Sequence, residues 1–120
     1  MSFGTIKIRK SDKLWREYLL KLRGERCEVC GKSGRVEISH FFGRRAESVR
    51  HSEKNCDLLC NYHHRYFHEN PSEYSEWKKK KLGEKEFKKL VISKNTYSKK
   101  DEIGVCIAIK KLLENLNATS

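Results

Sequence analysis

The sequence predicts an α+β domain, mostly helical, in which helices flank one small strand-containing metal module. Three observations carry this reading. Two ligand pairs of equal spacing, Cys27-x2-Cys30 and Cys60-x2-His63, suit a single tetrahedral site. A short stretch between them, RVEIS (35–39), alternates apolar and polar residues as a half-buried strand does. Elsewhere apolar residues recur at helical spacing. The 120 residues are 37% hydrophobic and 36% charged, which suits one domain with a lean core that a metal staple would support.

The elements follow in order. Residues 1–10, MSFGTIKIRK, read as a loose or extended arm. Leu14, Trp15, Tyr18, Leu19 and Leu22 then fall on one helical face, with Ser11 as the expected N-cap and Gly24 as the stop. CEVCGKSGR reads as a tight knuckle, and 41–54 as a polar connection with a loop at GRRAES. A short helix is expected in LCNYHHRYFHE. Asn70 caps the next, with Pro71 at its first position, Tyr74 and Trp77 along it and Gly83 at its end. A further helix surrounds Phe87, Leu90 and Val91. Ser98 to Asp101 has the capping-box pattern before a last helix, Ile103–Leu116. That helix is apolar at Ile103, Cys106, Ile107, Leu113 and Leu116, for packing onto the domain or for a homodimer seam; monomer and homodimer both remain open. The chain thus reads as one domain, with a zinc-braced core at 27–69 and a helical extension at 71–116.

The net charge of +11 points to a polyanion, and nucleic acid is the commonest one. No apolar run is long enough to span a bilayer and the start has no signal-peptide pattern, so no membrane partner is expected. Five cysteines, an odd number without a secretion signal, argue for a reducing cytoplasm rather than a disulfide framework. Cys106 and Cys56 read as small packing residues, which leaves Cys27, Cys30 and Cys60 for metal. With His63 they form a Cys3His set suited to structural zinc. His64 is the adjacent alternative, but the spacing of the first pair favours His63. His64 and His68 are one helical turn apart, so their imidazoles can converge on a second cation.

Between and around the pairs, VEISHFFGRR and EKNCDLLCNYHHRYFH resemble the HNH endonucleases of ββα-metal fold. HFFGRR, VRHSEKN and YFHENPSEYSEWKKKKLG extend the likeness toward the NinG-like recombination nucleases of bacteriophages, over residues 12 to about 95. The resemblance implies a metal-dependent DNA endonuclease, acting in phage DNA recombination or processing in a bacterial or phage-infected cell. It implies His40 as general base, Asn55 as the residue holding its loop, and His64 and His68 on a catalytic divalent metal (Mg, Mn, Ni or Zn). Many relatives carry an aspartate or histidine ligand directly before the base histidine. This chain has Ser39, a weak ligand.

Arg44, Arg45 and Arg50 flank the expected site, where guanidinium forks bind phosphate. The run Lys78 to Lys81 encircles its helix, so Lys78 and Lys79 are further candidates for DNA backbone contact. His51 is a lesser candidate ligand, read more simply as a loop residue. Two competing functions remain: a zinc-containing DNA-binding module of the same fold without turnover, and an RNA-binding or ribosome-associated zinc protein. The second explains the charge but not the histidines.

Overall fold

The computed structural model describes residues 7–96 and 100–119. In order these form α1 (Lys10–Arg23), β1 (Glu37–His40), β2 (Cys56–Leu59), α2 (Asn61–Glu69), α3 (Pro71–Leu82), α4 (Glu84–Asn95) and α5 (Glu102–Thr119). Two 3-10 turns, Glu47–Val49 and Glu53–Asn55, lie between the strands. The chain is therefore α+β and mostly helical, as expected.

The start of α1 differs from expectation. The Asp12 carboxylate accepts the Arg9 N–H at 2.8 Å, so the helix begins ahead of Ser11. Ser11 lies inside α1 and is fully buried. Its N–H and hydroxyl both donate to Glu102 at the start of α5, at 3.0 and 2.6 Å. Trp15, Tyr18 and Leu19 face the core as their spacing predicts, while Leu22 is left outside. Gly24 ends the helix with φ +85°.

The two strands pair antiparallel, with Glu37 opposite Leu59, Ile38 opposite Leu58, Ser39 opposite Asp57 and His40 opposite Cys56. The first strand starts two residues later than the alternation suggests. The second has no alternation to find, because all four of its residues are buried. Pleating sends Glu37 and Ser39 to one face of β1, and Ile38 and His40 to the other. On the second face, Trp15 of α1 donates its indole N–H to the Cys56 sulfur at 3.3 Å. Burial pushes the Cys56 thiol up to about 12, consistent with a packing residue.

On the first face the packing is polar. Asp57, fully buried, accepts from the Tyr74 hydroxyl (2.6 Å) and from the ammonium groups of Lys78 (2.8 Å) and Lys81 (2.5 Å). Ser39 and Tyr74 hydroxyls meet at 2.9 Å. Lys78 is 0% exposed, which corrects its assignment to DNA backbone: it is a core residue. Burial lowers its pKa, opposed by the Asp57 carboxylate beside it. The Phe67 and Tyr74 rings stack at 4.6 Å and join α2 to α3.

Asn70 precedes α3 as expected, but its side-chain amide donates back to the Tyr66 carbonyl at 2.8 Å rather than capping the helix ahead. Gly83, with φ +84°, separates α3 from α4. Ser98 of the expected capping box lies outside the described residues, as do residues 1–6 of the expected arm. Asp101 does cap α5, accepting the Gly104 N–H at 3.0 Å. Cys106, Ile109 and Leu113 face the core. Ile103 and Ile107, expected on that face, are 71% and 63% exposed. Among the described residues, no helix is long and apolar enough to cross a membrane.

Removing Asp57 would leave Lys78 buried without its counter-charge. Asp57→Ala should therefore cost about 3–5 kcal/mol in urea unfolding. Combining it with Lys78→Met should recover part of that loss. Equal instability of single and double variants would mean that the ion pair is not what the site depends on.

Candidate metal centre

The knuckle is shaped by its own backbone. Cys27 donates its N–H to the Lys32 carbonyl at 3.0 Å, and Gly31 donates to Cys27 at 2.9 Å with φ +74°. Glycine adopts that angle without the steric cost a side chain would carry. Cys60 immediately precedes α2 and His63 lies in its first turn, so the second pair is set by a helix start. The ligand atoms of Cys27, Cys30, Cys60 and His63 all lie within 4.8 Å of one another. His63 Nδ1 stands 3.4 Å from the Cys60 sulfur and 3.8 Å from that of Cys27. A tetrahedron with ligand bonds of about 2.0–2.3 Å has edges of this size. The four residues can hold a structural metal ion, and three thiolates with one imidazole suit zinc. Burial works against the Cys27 thiolate, yet the backbone N–H groups of Cys30, Cys60 and Val29 outweigh it and hold its pKa below the ordinary value.

Glu28, between the first two ligands, fastens the knuckle to the sheet. Its N–H donates to the Leu58 carbonyl at 2.8 Å, and its carboxylate accepts from the Leu58 N–H at 2.6 Å. The same carboxylate takes Arg23 at 3.0 Å and Lys81 at 2.6 Å. Nothing in the sequence separates Glu28 from an ordinary surface glutamate.

His64, the next residue after His63, points elsewhere. Its Nδ1 lies 2.7 Å from a carboxylate oxygen of Glu37 at the start of β1, and both side chains are partly open to solvent. Glu37 was not singled out by the sequence reading; the alternation of RVEIS was the available signal. Ser39, buried and engaged with Tyr74, does not open onto this pair. His68 follows one turn later on α2 and is exposed. Among the described residues, the Cys3His set is the one group of three or more candidate ligands within reach of a single ion.

His40 lies on the opposite face of β1 from Glu37. Its Nε2 is 3.1 Å from the Arg50 carbonyl. A carbonyl only accepts, so Nε2 carries the hydrogen and the neutral ring keeps its lone pair on Nδ1. Burial, then the nearby Arg44 charge, lowers its pKa to about 4. Asn55 holds the following turn from inside. It accepts the Phe42 N–H at 2.8 Å and donates to the carbonyls of Phe42 (2.9 Å) and Val49 (3.1 Å).

Of the expected phosphate contacts, Arg50 needs correction alongside Lys78. It is 2% exposed and its guanidinium is spent on Asp12 (2.5 and 3.0 Å) and on the carbonyls of Arg44 and Lys7. His51 meets the same Asp12 at 2.9 Å. Burial disfavours the Asp12 charge, but hydrogen bonds from His51, Arg50 and the Arg9 N–H overcome it and hold the carboxyl far below the ordinary range. Arg45 and Lys79 are exposed and Arg44 is half-buried.

Comparison with known proteins returns no match among family models, curated proteins or solved structures.

Two outcomes test this site. Cys27→Ser and His63→Ala should each lose bound zinc and melt far below the parent, because metal binding here is folding free energy; His64→Ala should keep both. Metal analysis and thermal melts read this directly, and loss of zinc from His64→Ala alone would reverse the assignment of the two neighbours. Separately, unfolding frees His40 to take a proton near its ordinary 6.5, whereas the folded ring resists until about 4. Stability should fall as pH drops through that window, by up to about 3 kcal/mol from this group. Urea titrations of His40→Gln should show that much less acid sensitivity.

Proposed function

We propose that the chain is a metal-dependent DNA endonuclease of the ββα-metal kind, braced by a structural zinc. The observation that carries the reading is the Glu37–His64 pair. Beside the Cys3His cluster, the last step from β2 into α2 puts an imidazole against a strand carboxylate at a partly open position. A carboxylate and an imidazole are suitable donors for Mg, Mn, Ni or Zn. Glu37 and His64 would supply the two donors that Ser39 does not; His68, one turn further along α2, does not share ligand reach of one ion with both of them. Such a metal would stabilise charge on the phosphorane and on the leaving 3′ oxygen.

The order antiparallel strand, antiparallel strand, helix also supports the reading, as does Asn55 clamping the turn after His40. His40, neutral at physiological pH with its lone pair on Nδ1, is free to accept a proton, although a pKa of about 4 makes it a weaker base than an ordinary imidazole. Products would carry 5′-phosphate and 3′-hydroxyl ends. Arg44, Arg45 and Lys79 remain the proposed contacts to the DNA backbone.

One observation favours a second reading, a zinc-braced DNA-binding module without turnover. The pleat of β1 places His40 on the face opposite the Glu37–His64 pair. Cleavage of supercoiled plasmid and branched DNA across a panel of divalent metals separates the two. The nuclease reading expects nicking that Glu37→Gln, His64→Ala and His40→Gln each reduce by a hundredfold or more, with zinc and fold retained. DNA binding without cleavage in any metal would establish the binding module instead.

A further inference from the structure

A second concavity lies away from the zinc cluster. A cleft of about 670 Å³ is walled by the turn at 45–51, the C-terminal end of α4 and the approach to α5. Four cations line it, and apart from Arg9, which is paired with Glu47, they come from three separate segments: Arg45, Lys94 and Lys100. Its two carboxylates are already engaged. Glu47 takes both arms of the Arg9 guanidinium at 2.8 and 2.9 Å, and Glu102 accepts from Ser11. Arg45, Lys94 and Lys100 have no carboxylate partner among the described residues.

The walls are also tied to one another. The Ser48 hydroxyl donates to the Lys94 carbonyl at 3.2 Å, joining α4 to the turn. The Lys94 ammonium stands 5.4 Å over the Phe42 ring, whose backbone Asn55 holds. His51 lines the cleft with its Nε2 committed to Asp12. Like charges gathered in a concavity repel one another, and a bound anion relieves that repulsion.

We propose that this cleft binds a phosphate group of a nucleic-acid strand, through Arg45, Lys94 and Lys100. The proposal rests on the reading of the chain as a nucleic-acid-binding protein, and is independent of whether it cleaves. It extends the strand's path from the His40 turn onto α4 and the start of α5. A nucleotide offers the same chemistry as a strand, so the test includes both.

The experiment measures binding of a fluorescent 20-nucleotide DNA, single-stranded and duplex, to zinc-loaded full-length protein without added divalent metal. The triple variant Arg45→Gln, Lys94→Gln, Lys100→Gln should bind at least tenfold more weakly. Its slope of log affinity against log salt should be shallower by about two. A control triple at exposed positions elsewhere, Lys21→Gln, Lys110→Gln, Lys111→Gln, should lose less than threefold. Zinc content and circular dichroism of the first triple variant should be unchanged. Unlabelled oligonucleotide lacking a terminal phosphate should displace the probe; displacement by a nucleoside triphosphate at lower concentration would support the phosphate site and assign it to nucleotide. Equal losses in the two triples, or an unaltered affinity in the first, would overturn the proposal. Cleavage is not read, so a failed nuclease reading leaves the result interpretable.

Discussion

The arrangement depends first on four donors from two distant segments being brought within the reach of one ion. Cys27 and Cys30 sit in a turn that follows α1, and Cys60 and His63 at the entry to α2. Everything between them, both strands and the long turn, must therefore close into a loop whose ends meet. Glu28 extends the junction by pairing with Leu58 of β2, so the knuckle is a continuation of the sheet edge as well as a ligand carrier. A two-stranded sheet alone is marginal in water. Here it is covered on both faces and pinned at one corner.

Two carboxylates, Asp57 fully buried and Asp12 largely so, do on the two faces what apolar residues cannot do in so charged a chain. Asp57 gathers Tyr74, Lys78 and Lys81 onto the α3 side. Asp12 gathers Arg50 and His51, and through them fixes the turn against α1. Each draws inside a cation, Lys78 at Asp57 and Arg50 at Asp12, that a chain of net charge +11 would otherwise carry on its surface. A buried pair of this kind need not add stability over an apolar equivalent, but breaking it is costly. Both hubs thereby set the position of the strand that carries Glu37 and His40.

The histidines divide by the direction in which the local structure sends them. His63 joins the thiolates, and His64, one residue on, turns to Glu37. His40 lies under the turn clamped by Asn55, on the other face of β1. His51, in the same turn, meets Asp12 and opens to the basic cleft. A reaction scheme that uses His40 and His64 together has to bridge the two faces at the end of the strand pair. Separate roles in binding and in structure need no such bridge.

The sequence by itself determined the features that rest on spacing and local stereochemistry. The equal spacing of Cys27/Cys30 and Cys60/His63 marked the metal cluster, because ligand geometry leaves little freedom. Glycine at positive φ marked the ends of α1 and α3, and Pro71 after Asn70 marked the start of α3. Only the tertiary structure decided which charges are surface and which are core. Lys78 and Lys79 are neighbours in one lysine run, yet Asp57 claims the first and leaves the second exposed, and no local signal tells them apart. Arg50 was withdrawn from solvent in the same way, by Asp12 from a distant helix. Glu37 became His64's partner only once strand register and helix placement were fixed. Long-range ion pairs are chosen by which elements meet, and the meeting is a property of the whole fold.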